Sequence, residues 1–400
     1  MKQAVFSIGY TFTAKSFIFI INYLAVTYLV LKEYGEFSLF LSTITSCVVI
    51  ASLGLLYSGN VVVSKWLGKN KAFVADYFKI SMLIIAILSF VFSIVSYILT
   101  SYFFESFFAI FFFSLGILFE SFFYGNSRYR ELFIFGFLNL IVSIALFFAL
   151  IKGCSLYGAI LGFIFSKTLI VILQFRQFLK NFTNFFNFKL TKKDSVFIYF
   201  KKFNAPLLLS AIISGPILTL ILYMLSYFRG NEEVAIYSWC YQIYLLGMFV
   251  PASLGAYYLT ILNKKAKQDK LSLMKKITLF NVSSTLLTIL MLALISPLLL
   301  GVSEISNTPM AKYTFFSFLI CMFFYSLNLS YMSLWVSLGK SHFHLYFQLI
   351  WSLTCVILSF IFLHHFSAFV IPLIMSLAYL CQFLIQKLMI YRVIKRKLKL

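Results

Sequence analysis

GNSRYRELF, residues Gly125 to Phe133, and GKSHFHLYF, residues Gly339 to Phe347, share a glycine, a serine, a basic-aromatic-basic triplet and a closing phenylalanine in one register. A second pair, EYGEFS from Glu33 to Ser38 and EVAIYS from Glu233 to Ser238, repeats an acid, a small residue, an aromatic and Ser at an offset of 200. The two offsets differ by 14 residues, which the longer loops Asn263–Lys276 and Gly301–Lys312 can absorb. Two matches in the same order at corresponding loops predict a duplicated chain, and a repeat of this kind sets the whole architecture.

The residues around these anchors are nearly all apolar. Hydrophobic residues make up 62% of the 400 and charged ones 11%, against roughly 45–50% and about 25% in soluble domains. That composition excludes a water-facing surface, and a mean hydropathy of +0.98 excludes disorder. A bilayer core about 30 Å thick takes ~20 apolar residues in helix, and twelve runs fit: Phe12–Leu31, Phe37–Gly59, Ile80–Thr100, Ser106–Gly125, Leu132–Ile151, Leu156–Phe175, Pro206–Ser226, Ala235–Thr260, Ile277–Leu300, Tyr313–Ser337, Leu345–Leu363 and Phe369–Ile390. The first run is too long for a secretion signal and lacks a small-residue cleavage site, so it reads as a retained span.

The expected fold is therefore all-α integral membrane, about 12 transmembrane helices in two parallel six-helix halves. The lobes are expected at 1–176 and 205–400, joined by a cytoplasmic linker over 177–204 whose FKLTKKDS stretch (Phe188 to Ser195) suits an amphipathic surface helix. Six spans per half put both halves in the membrane the same way up, an arrangement used for alternating access with substrate held between them.

Lys and Arg number 33 against 11 Asp and Glu, a formal charge of +22. With twelve spans, 28 of the cations fall on the side of the termini, four (Lys32, Lys152, Arg229 and Lys312) on the other, and Lys167 within a span. Cytoplasmic loops carry the Lys/Arg excess, so both termini are expected in the cytoplasm. Most of the surplus is topology and contact with anionic inner-leaflet lipids, at about 1 kcal/mol per residue. Nucleic acid is not an expected partner. The outer loops are short and carry Glu33, Glu36, Glu105, Glu232, Glu233 and Glu304, leaving no room for an outward-facing enzyme domain.

Ionisable residues within spans point to function because they cost at least ~2.5–3.5 kcal/mol at the bilayer centre. Lys167 lies nine residues before Arg176 and Glu120 eight before Arg128, placing both roughly 12–13 Å from the cytoplasmic boundary. They are expected to face the interior and pair, either as a fastening between helices or as a proton- or substrate-linked switch. Lys15, on the first turn of the first span, shares a face with Asn22. Either Lys15 snorkels to the interface or it lines an inward-open mouth. The second half has Gly215 and Leu222 at the equivalent positions. Arg128 and Arg130 become His342 and His344 in the second copy. Solvated loop charge or a cationic entrance would each explain the arginines. All six prolines, Pro206, Pro216, Pro251, Pro297, Pro309 and Pro372, fall in the second half, as hinges or as packing bends. The six cysteines show no C-x-x-C spacing and read as core residues.

The segment Ser214 to Leu262, with the Gly215-Pro216 pair, the glycine-acid-acid hairpin ending in Tyr237-Ser238, and Pro251 among small residues, resembles the seventh and eighth spans of the Wzx-type O-antigen flippases. The LKEYGEFSLF opening and Ala51–Gly59 fit the first two spans of that family, and span count and loop lengths agree over essentially the whole chain. These flippases form the polysaccharide-exporter branch of the superfamily that also holds the MATE exporters. The resemblance implies a MATE-like fold and translocation of undecaprenyl-diphosphate-linked oligosaccharide repeat units from the inner to the outer leaflet of a bacterial inner membrane. It further implies polysaccharide polymerase or chain-length machinery as partners, and no cofactor beyond H⁺ or Na⁺ coupling. Lys15, Asn22, Lys167, Arg128 and Arg130 are then the substrate-binding candidates, and Glu120, Pro216 and Pro251 the coupling or gating ones.

Three rivals remain. A MATE-like ion-coupled exporter of organic cations needs buried carboxylates, and the spans offer Glu120 alone. A major-facilitator carrier shares the 6+6 plan but needs an acidic-basic loop after the second span, where VVVSKWLGKNK (Val61 to Lys71) has no acid. A membrane-embedded polysaccharide polymerase or ligase, the enzymatic alternative, needs a large outer loop.

Overall fold

The computed structural model describes residues 2–182, 185, 196–198, 200, 204, 216–249, 251, 262, 267–301, 305, 308–337 and 341–395. Every regular element among them is helical. In chain order these are α1 (Lys2–Tyr28), α2 (Leu31–Ala51), α3 (Leu55–Trp66), α4 (Lys71–Thr100), α5 (Phe103–Gly125), α6 (Tyr129–Leu179), α7 (Pro216–Arg229), α8 (Asn231–Gly247), α9 (Lys267–Leu294), α10 (Ser296–Leu300), α11 (Pro309–Ser337), α12 (Ser341–Phe362) and α13 (Val370–Lys395). Seven of them are long and apolar enough to cross a membrane, and the chain is an all-α, multi-pass membrane protein. Most of the FKLTKKDS linker, including all of Phe188 to Ser195, lies outside the described residues, as do Pro206 and Gly215.

The helix ends follow their residues. Asn70 caps α4 by accepting the Phe73 amide at 3.0 Å. Glu33, Glu105 and the Glu232–Glu233 pair occupy the first turns of α2, α5 and α8, where acids favour the positive end of the helix dipole. Pro297 and Pro309 stand in the first turns of α10 and α11, and Pro372 is the third residue of α13, while Pro216 is the first described residue of α7. For Pro309 and Pro372 a hinge within the span is corrected, since in a first turn the missing N–H has no intrahelical partner to lose, whereas Pro297 follows a break at Ile295 inside its predicted span.

Two breaks refine the predicted spans. The 51-residue α6 departs from helical geometry at Cys154 and Ser155 (φ 48°), so it is two helices end to end, matching the turn expected after Ile151. The expected second span, Phe37–Gly59, is corrected more substantially. α2 stops at Ala51, Leu53 and Gly54 take positive φ (48° and 66°), and α3 restarts at Leu55. Glycine accepts that conformation freely. A broken helix at membrane depth is tolerated only where its freed carbonyls find donors, and Asn204 supplies one. Its amide donates to the Leu53 carbonyl at 3.2 Å and to Ser58 Oγ at 2.9 Å, while Ser58 also hydrogen-bonds the Tyr77 hydroxyl at 2.8 Å.

The chain divides into two compact units, Met1–Leu29 with Glu36–Thr219 and Val30–Gly35 with Leu220–Leu400. In the first, small residues let helices approach. A side chain at Gly59 would collide with Ser121, one at Gly125 with Val63 and the Asn60 carbonyl, and one at Gly136 with Tyr10 and Thr13. Along α4, Ser81, Ile85, Ser89, Ser93 and Ser96 are buried, while Leu83, Ile87, Phe90, Ile94 and Ile98 face outward. That inside-out pattern suits lipid, which solvates Leu as well as a protein interior does. Ser96 meets Ser106 of α5 at 2.8 Å.

In the second unit a buried polar chain ties α11 to α13. Trp335 Nε1 donates to Gln386 Oε1 at 3.0 Å, Gln386 Nε2 to Asn328 Oδ1 at 2.9 Å, and Asn328 Nδ2 to the Tyr379 carbonyl at 2.9 Å. At one end of the bundle the Ala368 amide donates to Glu233 at 2.6 Å, and Arg229 Nε donates to the Leu363 carbonyl at 2.9 Å. The α7–α8 hairpin is thereby fixed to the α12–α13 turn.

Replacing Asn204 by Ala is expected to leave the Leu53 carbonyl unsatisfied and to cost about 1–2 kcal/mol, seen as a lowered thermal-unfolding midpoint in detergent. An unchanged midpoint would show that the α2–α3 break does not depend on this amide.

Candidate functional site

The first unit carries a cluster of charge inside its helices. Lys167, on the second segment of α6, has Nζ 3.6 Å from Glu120 Oε1 of α5, and their side chains are 16% and 13% exposed. Local sequence makes the approach possible. Gly116 stands one turn before Glu120, and a side chain there would meet Lys167 Cε and Val171 Cγ2 at 3.2 Å, so the lysine stem crosses α5 over a bare backbone. The ammonium also lies 5.4 Å from the centroid of the Phe113 ring, near enough for cation–π attraction.

A third group completes the cluster. The Tyr10 hydroxyl of α1 lies against Glu120, and its ring packs edge-on to Tyr124 at 6.0 Å. Tyr10 is held there by the close α1–α6 approach that Gly136 permits. Sequence reasoning did not find it: in a chain with 25 tyrosines, nothing local marks Tyr10. A tyrosine beside a paired carboxylate gives the site a neutral donor and acceptor next to its two charges.

The other candidates fall elsewhere. Asn22 is buried and donates to the Ile18 carbonyl at 2.9 Å. Lys15 lies on α1, and its side chain is outside the described residues, as are those of His342 and His344. Arg128 belongs to a separate network: its guanidinium donates to Asn181 Oδ1 at 2.9 Å and reaches Glu131 at 3.4 Å, while Gln177 donates to the other Glu131 oxygen at 3.1 Å. Arg130 is exposed. Arg128, Arg130 and Glu131, with Phe6, Ser127, Tyr129 and Ile134, line a surface pocket of about 370 Å³. Pro216 is half-buried and Pro251 buried.

A second buried carboxylate went unread in the sequence. Asp76, near the start of α4, is only 2% exposed. It follows a basic loop and reads as part of it, since a single acid before a long apolar run carries no sign of which way it points. In the second unit Lys270 is likewise buried, near the start of α9.

No protein-family model and no curated protein matches the sequence. Solved structures do match over nearly the whole chain. A multidrug resistance MATE family transporter of the MOP superfamily, in its inward-facing conformation, aligns with TM-score 0.74 and 13% identity over 95% of this chain and 96% of its own. The lipid II flippase MurJ, inward closed, aligns with TM-score 0.74 and 15% identity over 97% and 87%. A MOP superfamily transporter from Pyrococcus furiosus, described as having a binding pocket of reverse polarity that suggests a different function, aligns with TM-score 0.65 and 10% identity over 96% and 92%. The chain has the fold of the MOP-superfamily transporters.

Glu120→Gln leaves the Lys167 charge without its partner and is expected to destabilise the protein by about 3–5 kcal/mol. Adding Lys167→Met should restore most of that loss. A thermal-unfolding comparison of the two single variants with the double variant measures the coupling, and simple additivity would show that the pair contributes no stability.

Proposed function

We propose that the protein is a flippase that moves undecaprenyl-diphosphate-linked oligosaccharide repeat units from the inner to the outer leaflet of a bacterial inner membrane, by alternating access, for O-antigen or another surface polysaccharide. The observation that carries this reading is the lysine held inside the first unit at Lys167, on a fold shared with a lipid II flippase. An ammonium at that depth costs free energy to bury and is retained where it meets an anion. The diphosphate of a lipid carrier supplies two negative groups that Lys167 and Lys15 can meet, with Arg128 and Arg130 at the cytoplasmic entrance and Asn22 on the Lys15 face.

Glu120 is then the switch. Paired with Lys167 it neutralises the cation when the site is empty, and uptake of H⁺ or Na⁺ by the carboxylate frees the ammonium for the diphosphate. Pro216, near the end of the first unit's chain, and Pro251, in the second unit, are gating positions. Both termini lie in the cytoplasm, the basic loops contact anionic inner-leaflet lipids, and polymerase or chain-length machinery receives the product on the far side.

Export of organic cations is the competing activity for this fold. It calls for a surplus of negative charge at the site, whereas Glu120 is matched by Lys167 at 3.6 Å.

In proteoliposomes, with dithionite quenching of a fluorophore on the glycan of an undecaprenyl-diphosphate-linked oligosaccharide reporting its leaflet, the wild type should flip the lipid. The Lys15→Gln/Lys167→Gln double variant should flip it about tenfold or more slowly, the scale of losing a charge-assisted contact. Full activity in that variant overturns the cation assignment. Ethidium transport without lipid flipping overturns the flippase reading itself.

A further inference from the structure

In the second unit, far along the chain from the charged cluster, four helices contribute to one continuous aromatic stack. Tyr241 and Tyr244 of α8 stack at 5.7 Å, and both pack on Phe318 of α11. Tyr244 reaches Tyr325 at 6.3 Å, Tyr325 reaches Tyr379 of α13 at 5.0 Å, and Tyr379 stacks on Trp351 of α12 at 5.3 Å and 27°. Tyr241 is ten residues into α8, Tyr379 nine into α13, and Tyr325 twelve from the end of α11. At 1.5 Å per residue these positions are roughly 14–18 Å from the helix ends, the middle of a core about 30 Å thick.

Tyrosine at that depth needs a reason. Facing lipid, tyrosines belong at the membrane interfaces, where the hydroxyl is wetted. Tyr241, Tyr325 and Tyr379 are all partly exposed, and among the described residues their hydroxyls make no hydrogen bond. The indole nitrogen of Trp351, buried to 4% exposure, has no partner either. Three phenols and an indole N–H without partners in hydrocarbon would each carry the cost of an unsatisfied polar group. A face that meets water or a polar ligand removes that cost.

The kind of ligand follows from the chemistry. Flat rings offering apolar faces, with hydroxyls around the edge, match the alternating C–H faces and equatorial hydroxyls of a sugar ring. A cation would also stack on these rings, but of the carboxylates on the described helices of this unit Glu33, Glu232 and Glu233 stand in first turns and Asp269 is the third residue of α9. None lies at mid-depth to balance the charge.

We propose that the Tyr241–Tyr325–Tyr379 face of the second unit, closed by Trp351, is a carbohydrate-binding platform that reads the glycan of the translocated lipid. This rests on the flippase reading and divides recognition within the chain: cations of the first unit take the diphosphate, and the tyrosine face of the second takes the sugars.

The test uses the full chain in nanodiscs and two probes, undecaprenyl diphosphate without sugar and an undecaprenyl-diphosphate-linked oligosaccharide. The wild type should bind the glycosylated lipid more tightly than the bare one. The Tyr241→Phe/Tyr325→Phe/Tyr379→Phe triple variant keeps the ring stack, and with it the fold, but removes the hydroxyls. It should lose about tenfold or more of that preference and still bind the bare lipid as the wild type does. Tyr379→Ala, which also breaks the stack on Trp351, should abolish the preference. If the triple variant keeps the wild-type preference, or weakens both probes equally, the platform is overturned while the flippase reading stands. If the wild type binds neither lipid, both are overturned. Tetraphenylphosphonium binding that is lost in Tyr379→Ala, with no glycan preference in the wild type, assigns the face to cations and overturns the platform.

Discussion

Hydrocarbon offers no hydrogen bonds, and the rest of this structure follows from that. Every backbone N–H and C=O inside the membrane must be answered from within the chain, so the elements are helices, and hydroxyls inside them turn back to their own carbonyls. Thr13 donates to Tyr10, Thr43 to Leu39 and Ser81 to Tyr77 in this way. Where the backbone departs from helix, as after Ala51, a side chain from elsewhere in the same unit answers the freed carbonyl, and Asn204 does so for Leu53. The break is thus bound to a residue about 150 positions downstream, which couples the end of the first unit's chain to its second helix.

The same solvent changes what packing means. With lipid as apolar as leucine, helices gain little from burying large side chains and more from close approach. Gly59, Gly125 and Gly136 are contact points of this kind in the first unit, each facing a neighbour that would collide with a methyl group, and at Gly116 a methyl group would sit only 3.2 Å from the Lys167 stem. Two of these approaches build the charged site directly: Gly116 gives passage to the Lys167 stem and Gly136 seats Tyr10. The site is therefore a product of small residues as much as of charged ones.

Much of this was legible before the structure. Hydropathy located the apolar runs that become the seven long membrane-crossing helices among the described residues, and counting residues from Arg176 and Arg128 set Lys167 and Glu120 at one depth, where the structure places their charged atoms 3.6 Å apart. Three features were not legible, each for a physical reason. The break at Leu53–Gly54 lies in a run that stays apolar throughout, and hydropathy is blind to φ. Hydropathy does not mark helix starts to the residue: α11 begins at Pro309, before its expected span, and α13 at Val370, which puts Pro309 and Pro372 in first turns. The tyrosine stack joins Tyr241, Tyr325, Tyr379 and Trp351 from four helices, and residues so distant in sequence show no common pattern until the helices are assembled.

The crossing of the chain at Val30–Gly35 sets an order on biosynthesis. That six-residue stretch is grouped with the second unit although Leu29 before it and Glu36 after it belong to the first, and Gly35 abuts the Asn231 carbonyl so tightly that no side chain fits between them. Translation proceeds at roughly 5–20 residues per second, so after Gly35 is made its neighbour is still about 10–40 s from leaving the ribosome. Through that interval the nascent first unit holds an open hairpin with an acidic first turn and no mate. The nascent chain cannot finish its first unit and then begin its second; one end of α2 has to wait for α8.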